Sequence, residues 1–190
     1  YHQTPALAPQ LATKLGIPDA AAYDISAACA GFSYGVAQAE ALVRSGQARH
    51  VLLIAGETIS EITDLTDRGT AFLFGDGAGA VVVGPSETNG IGPVVWGSDG
   101  SQAGTIWQTT DWHTAVEQGT WPKLGMDGRA VFKWATGFIA QAAKKCLDEA
   151  GLTPDDVLHR AEEDLARVEG EIARVAAEFL GEEVPPPDDA

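Results

Sequence analysis

Residues 23–32 read Tyr23-Asp24-Ile25-Ser26-Ala27-Ala28-Cys29-Ala30-Gly31-Phe32, and the rest of the chain is arranged around this stretch. We interpret residues 20–25 as the end of a buried strand. From Ala30 onward, apolar residues recur at helical spacing, which predicts a helix. Cys29 then lies where the strand turns into the helix. The first turn of a helix has unpaired N–H groups and a positive dipole end, so a thiol there ionises more easily and becomes a nucleophile. The alternative is a small buried hydrophobe, the common fate of a free cysteine.

Composition restricts the class of protein. The chain has 190 residues, 45% of them hydrophobic, which is enough for one globular domain with a sizeable core. No segment has the length and apolarity of a membrane span, and none resembles a signal peptide, so we expect a cytoplasmic protein. Two cysteines far apart predict neither a disulfide framework nor a metal site. A net charge of −15 argues against nucleic-acid binding.

Two further stretches predict an α/β fold. Residues 50–56 form a continuous apolar run, which is typical of a strand buried on both faces. With the preceding strand and helix they complete a strand–helix–strand unit, the unit of a parallel sheet. The glycine-rich residues 75–79 lack the Lys-Ser/Thr pair of a phosphate-binding loop. They lead into the apolar residues 80–84, which predicts a strand rather than a nucleotide cradle.

The remaining segments are interpreted more simply. Residues 4–16 are predicted to form a helix, residues 98–128 a loop-rich insertion carrying three tryptophans, and residues 129–150 a helix with Cys146 on its apolar stripe. The acidic loop of residues 57–67 is a surface loop rather than a metal site, because no metal-binding loop motif matches it.

Three motifs together resemble those of the β-ketoacyl-acyl-carrier-protein synthase III family, which are thiolase-fold condensing enzymes. They are the segment around Cys29, the segment Thr66-Asp67-Arg68-Gly69-Thr70, and the segment Phe74-Gly75-Asp76-Gly77-Ala78-Gly79-Ala80. Their order is that of the family, and the similarity extends to about Val157. The resemblance implies an α/β fold: an incomplete thiolase-like layered fold with a mainly parallel sheet, occupying residues 1–157.

The resemblance also implies an activity. An acyl group passes from acyl-coenzyme A to Cys29, and decarboxylative condensation with malonyl-acyl carrier protein follows. Acyl-coenzyme A is a substrate here, no cofactor is permanently bound and no metal is required. Acyl carrier protein and a second copy of the chain are the implied partners.

Four other residues receive roles by the same resemblance. Arg68 and Gly69 belong to the coenzyme A-side loop, where Arg68 stacks against adenine; the alternative is a salt bridge from Arg68 to Asp64 or Asp67. Thr4 and Phe74 line the acyl pocket, unless Thr4 is simply a helix N-cap and Phe74 a core residue. Anionic substrates also need a basic patch. In addition to Arg68, the candidate residues for this patch are Arg44, Arg129, Lys133, Lys144 and Lys145.

The sequence departs from the family after Val157. Condensation needs donors that stabilise the malonyl enolate. The family supplies them in a Pro-His-Gln-Ala-Asn segment and a Gly-Asn-Thr segment, and neither occurs here. The neighbours of His159 do not match the first of these segments. We therefore expect these 190 residues at most to accept an acyl group at Cys29, and to condense poorly or not at all.

The last 33 residues have a different character, holding ten of the 27 acidic residues and three of the 12 basic ones. Residues 158–180 place apolar side chains at alternating spacings of three and four, which predicts an amphipathic helix that either forms a coiled coil or packs on the domain. Residues 181–190 are predicted to be a disordered acidic tail. Two rival hypotheses follow: a non-catalytic partner or scaffold subunit that assembles through the 158–180 helix, and a related thiolase-fold enzyme with another acceptor.

Overall fold

The computed structural model describes residues 4–180, so the predicted tail of residues 181–190 lies outside the described residues. Close contacts divide the chain into two units, residues 4–91 with 99–131 and residues 92–98 with 132–180. The helices and strands follow the order α1 Leu7–Lys14, α2 Gly31–Arg44, β1 Val51–Glu57, β2 Gly77–Val83, β3 Ile106–Gln108, α3 Trp112–Gln118, β4 Leu124–Met126, α4 Gly128–Ala150 and α5 Pro154–Leu180.

A helix packed on a two-stranded sheet forms the centre of the first unit. Strands β1 and β2 pair in antiparallel register from Val51 opposite Val83 to Glu57 opposite Gly77. Helix α2 approaches this sheet closely because Gly35 has no side chain: a Cβ there would lie 2.5 Å from Leu53 Cδ1. The strands predicted at residues 50–56 and 80–84 are therefore present, each displaced by one to three residues.

The parallel sheet predicted from the strand–helix–strand unit is absent from residues 4–180. Both described sheets have two strands and both pair antiparallel. Residues 20–25 join no ladder, so the strand predicted before α2 is not formed. The physical reason lies in pairing: β1 takes its hydrogen bonds from β2, which returns beside it through the loop of residues 58–76 and therefore runs in the opposite direction.

The insertion predicted to be loop-rich contains a small hairpin and a helix. Strands β3 and β4 pair antiparallel, with Trp107 opposite Gly125. Asp111 caps α3 by accepting hydrogen bonds from Thr114 N (3.0 Å) and Thr114 Oγ1 (2.6 Å). The hairpin is attached to the loop after β1 because Leu124 N donates a 2.7 Å hydrogen bond to the carbonyl of Ile62.

The second unit consists mainly of helix. Helix α4 matches the helix predicted over residues 129–150, and Cys146 Sγ lies 3.5 Å from the carbonyl oxygen of Pro93. Helix α5 begins with a capping box, in which Asp156 N donates to Thr153 Oγ1 (3.2 Å) and Thr153 N donates to Asp156 Oδ2 (2.7 Å). The predicted boundary between residues 157 and 158 therefore falls inside one continuous helix, and as a domain boundary it stays a prediction.

The core of the described residues is small, unlike the sizeable core expected from composition. Its buried hydrophobic residues are Ala12, Ala37, Ala39, Ala115 and Ala177. Large apolar side chains are exposed instead, among them Leu65 and Phe72, each 76% exposed. In the part of the chain that the structure describes, no helix has the length and apolarity needed to cross a membrane.

Candidate active site around Cys29

Cys29 lies in a strained turn directly before α2. A short 3₁₀ turn spans Ala28–Ala30, and Ala30 N donates a 3.1 Å hydrogen bond to the carbonyl of Ala27. Ala28 has φ of +46°, a left-handed conformation that is costly for a residue with a Cβ. Such strain persists only where surrounding structure enforces it and is concentrated at functional sites. Cys29 is exposed, so its interpretation as a buried hydrophobe is wrong.

The N-terminus of α2 is open beside this thiol. Ala30 is the N-cap residue, and its methyl side chain makes no capping hydrogen bond to the first-turn amides. At Gly31 a Cβ would meet no heavy atom within 4 Å. Unpaired N–H groups and the positive end of the helix dipole favour negative charge at such a place. The turn can therefore present a nucleophilic sulfur with room for a substrate carbonyl.

Asp24 ties the Cys29 segment to α1. Its two carboxylate oxygens accept hydrogen bonds from Leu7 N and Ala8 N, each 2.8 Å long. The cap of α1 thus comes from a residue seventeen positions away, and the predicted alternative role of Thr4 as N-cap is wrong. Thr4 is exposed just ahead of this helix, and its role in an acyl pocket stays a prediction.

The turn around Arg68 is built by the carboxylate of Asp67. Gly69 N donates to Asp67 Oδ1 (2.8 Å), and the hydroxyl of the buried Thr70 donates to Asp67 Oδ2 (2.6 Å). These hydrogen bonds, with that from Thr70 the larger cause, hold the pKa of Asp67 below its ordinary value. Arg68 is exposed and belongs to no ion pair within residues 4–180, so the predicted salt bridge to Asp64 or Asp67 is not formed. Its guanidinium is available to a ligand.

The loop before β2 is fixed by Asp76. Ser60 donates to this carboxylate from its backbone N (2.8 Å) and from its hydroxyl (2.6 Å), and these bonds lower the pKa of Asp76, the hydroxyl contributing most. The glycine-rich segment therefore closes the long loop after β1 and leads into β2, as its sequence predicts. Phe74 is half-buried two residues before Asp76.

Three of the candidate basic residues are engaged within their own helices. Arg44 pairs with Glu40, Lys144 with Asp148 and Lys145 with Glu149. Such i,i+4 pairs are typical of a solvated helix face. Arg68, Arg129 and Lys133 are the candidates that belong to no ion pair among the described residues.

Within residues 4–180, no hydrogen bond or ion pair joins one of Cys29, Arg68, Gly69, Thr4 and Phe74 to another. We did not predict from the sequence that the carboxylates of Asp24 and Asp67 hold these loops in place. For Asp67 a signal existed, because Asp followed by Gly and Thr two and three residues later is typical of an Asx turn. For Asp24 none existed, because its partners are distant in sequence. No group of three or more His, Cys, Asp and Glu residues that suits a metal ion occurs among the described residues.

Comparison with known proteins identifies the class first. The model resembles the crystal structure of the priming β-ketosynthase of a polyketide biosynthetic pathway, with a TM-score of 0.77 and 46% identity over 80% of this chain and 46% of that chain. It also resembles the β-ketoacyl-acyl-carrier-protein synthase III of Thermus thermophilus, with a TM-score of 0.73 and 39% identity over 82% of this chain and 49% of that one. The fold is therefore the α/β thiolase fold of condensing enzymes.

The family follows from the sequence. Residues 23–100 match the model of the 3-oxoacyl-[acyl-carrier-protein] synthase III family. The synthase III proteins of Streptomyces avermitilis and Streptomyces glaucescens are 49% and 51% identical to this chain, and each alignment covers 83% of it. The chain spans about half the length of these relatives, 51% and 48% respectively. The resemblance predicted from three motifs is confirmed, and the scaffold hypothesis gains no support.

Proposed function

We propose that this chain carries the acyl-accepting site of an initiating β-ketoacyl-acyl-carrier-protein synthase of fatty-acid or polyketide biosynthesis. The Cys29 thiolate attacks the thioester carbonyl of acyl-coenzyme A. A sulfur–carbon bond forms to Cys29, the bond from the acyl carbon to the sulfur of coenzyme A breaks, and coenzyme A leaves as a thiol after taking a proton. The observation that carries the proposal is the exposed Cys29 in a strained turn at an uncapped helix N-terminus.

The α2 N-terminus stabilises the charge that develops in this step. During attack, negative charge develops on the former carbonyl oxygen, and amides already fixed in the helix stabilise that charge without reorganising. Arg68 and Gly69 contact coenzyme A from their turn, and Thr4 and Phe74 line the acyl pocket. The substrate is acyl-coenzyme A, and no permanently bound cofactor takes part.

The acylated Cys29 then serves as the electrophile for malonyl-acyl carrier protein. Loss of carbon dioxide from the malonyl group gives an enolate, which attacks the acyl carbon and releases the Cys29 thiolate. The full reaction needs acyl carrier protein as a partner, and we place it in the cytoplasm in a homodimeric enzyme.

Intact-mass spectrometry tests the first step. The chain is incubated with acetyl-coenzyme A and with longer acyl-coenzyme A thioesters, and its secondary structure is verified by circular dichroism. We expect the mass of the chain to increase by one acyl group. This increase should be lost in Cys29→Ala. It should be retained in Cys146→Ala, because Cys146, in α4, lies against the carbonyl oxygen of Pro93. A folded chain that gains no acyl mass, or one acylated equally in both variants, would contradict the proposal.

A further inference from the structure

An unpartnered apolar face runs along α5, in the part of the chain furthest from the three family motifs. We define the α5 stripe as Leu158, Ala161, Leu165, Val168, Ile172 and Val175. All six residues are exposed; Leu165 is 58% and Ile172 is 63% exposed. Their alternating spacing of three and four places them on one side of the helix, at the a and d positions of heptads. Ala177, which is buried, lies on the opposite side.

Acidic residues border the stripe on both sides. Glu162 and Glu169 occupy the e positions, and neither is in an ion pair among the described residues. Asp164 and Glu171 occupy the g positions on the other side and share Arg167, at 3.4 Å and 2.9 Å. The four carboxylates thus face whatever covers the stripe, and Arg167 pairs with two of them.

This pattern selects against a second copy of the chain. In a parallel pair of helices the g side of one copy meets the e side of the other, which sets Asp164 near Glu169. In an antiparallel pair e meets e and g meets g, and every such meeting is again between carboxylates. An anionic membrane surface is repelled for the same reason. The apolar spacing favours a helix as partner, and the charge requires that its flanks be basic.

We propose that the α5 stripe docks an amphipathic helix of a different protein, in which lysine and arginine flank the apolar face. Burial of the stripe supplies affinity, while opposite charges along both flanks select the partner and like charges exclude self-pairing. The docking surface contains none of the residues that we propose for acyl transfer.

Calorimetric titration of the full chain with two synthetic helical peptides tests this proposal. Both peptides carry Leu and Ile at a and d positions; one has Lys and the other Glu at every e and g position. We expect the Lys peptide to bind at least about tenfold more tightly than the Glu peptide at low salt. Added salt should reduce this preference, because it screens exposed charges.

Three variants identify the surface. Leu165→Asp should abolish binding of the Lys peptide, and Ala166→Asp, which adds the same charge beside the stripe, should retain it. Glu162→Lys combined with Glu169→Lys should shift the preference towards the Glu peptide while leaving the stripe intact. Helicity is checked by circular dichroism in each case.

The proposal is overturned if a helical chain binds neither peptide or binds both equally. Self-association at pH 7 that Leu165→Asp removes would assign the stripe to a second copy. Binding to vesicles of neutral phosphatidylcholine that the same change removes would assign it to a lipid surface. Cys29 acylation should be unchanged in Leu165→Asp, which separates this test from that of the catalytic proposal.

Discussion

At the scale of the residue, carboxylates and backbone conformation prepare the groups that act. Ala28 takes a left-handed conformation and sets Cys29 in its turn. The carboxylate of Asp67 accepts hydrogen bonds from Gly69 N and from the Thr70 hydroxyl. It does not pair with Arg68, whose guanidinium is in no ion pair among residues 4–180. Each candidate functional residue and the residue that shapes its turn are therefore neighbours along the chain in both loops.

Removal of the Arg68 side chain should weaken use of coenzyme A without damaging the thiol. Arg68→Ala is expected to lower the second-order rate of Cys29 acylation by acyl-coenzyme A roughly tenfold, since a charged hydrogen bond contributes about 1.5–3 kcal/mol. Acyl-pantetheine, which lacks the nucleotide, should acylate wild type and variant equally. Arg44→Ala is the matched control, because Arg44 is paired with Glu40. Equal losses with both substrates would show that Arg68 does not contact the nucleotide.

The turn at Asp67 should depend on acid in a defined direction. Its pKa is lowered in the folded chain, chiefly by the hydroxyl of Thr70, so the ionised carboxylate favours folding. This stabilisation is fully present above the ordinary aspartate pKa of about 3.9 and is lost as the pH falls through the lowered folded value. Thr70→Val should raise the pKa of Asp67, measured by NMR titration of its carboxyl carbon.

The matched control is Thr66→Val, which removes the corresponding hydrogen bond to Asp64. It should raise the pKa of Asp64 and leave that of Asp67 almost unchanged. An unaltered Asp67 titration in Thr70→Val would mean that the hydroxyl contributes nothing to the turn.

At the scale of the element, glycine determines how closely elements approach. Gly35 lets α2 approach β1 at Leu53, and Gly125 lets the indole of Trp107 lie across the β3–β4 hairpin. A Cβ at Gly125 would come within 2.7–2.9 Å of three indole atoms. The hairpin attaches to the loop after β1 through Ile62, so this contact also supports the loop that carries Arg68.

Gly125→Ala should therefore destabilise the chain. We expect the free energy of unfolding, measured by urea titration, to fall by roughly 1–3 kcal/mol, because a rigid indole has to leave its position. Gly79→Ala is the matched control, since a Cβ on that strand residue meets nothing within 4 Å. It should be neutral or stabilising by up to about 1 kcal/mol. Equal effects of the two changes would refute the packing argument.

At the scale of the whole molecule, the described residues contain the candidate acylation site and an incompletely covered sheet. Leu52 and Ile54 on β1 are each 41% exposed and Val82 on β2 is 66% exposed. An exposed apolar face of this kind marks a place where further structure packs. The chain matches relatives about twice its length, which agrees with a sheet that is only partly covered here.

These 190 residues by themselves should stop at the acyl-enzyme stage. The enolate formed from the malonyl group needs fixed hydrogen-bond donors, and the Pro-His-Gln-Ala-Asn and Gly-Asn-Thr segments that supply them in the family do not occur in these 190 residues. With acyl-coenzyme A and malonyl-acyl carrier protein, acylated Cys29 should accumulate without a β-ketoacyl product. The synthase III of Streptomyces glaucescens serves as positive control. Product formation by the 190-residue chain would show that its own residues supply the donors.

The sequence by itself determined most of the local elements and the resemblance to the family. Helical spacing located α2 and α4, an apolar run located β1, and the three motifs around Cys29, Arg68 and the glycine-rich turn identified the thiolase-fold relatives, because each depends on residues close together in the chain. The tertiary structure decided what depends on distant residues: the antiparallel pairing of β1 with β2, the cap that Asp24 gives α1, and the small core. The periodicity of a sequence shows which face of an element is apolar. It does not show which element packs against that face, or whether the strand that pairs with an edge runs parallel or antiparallel.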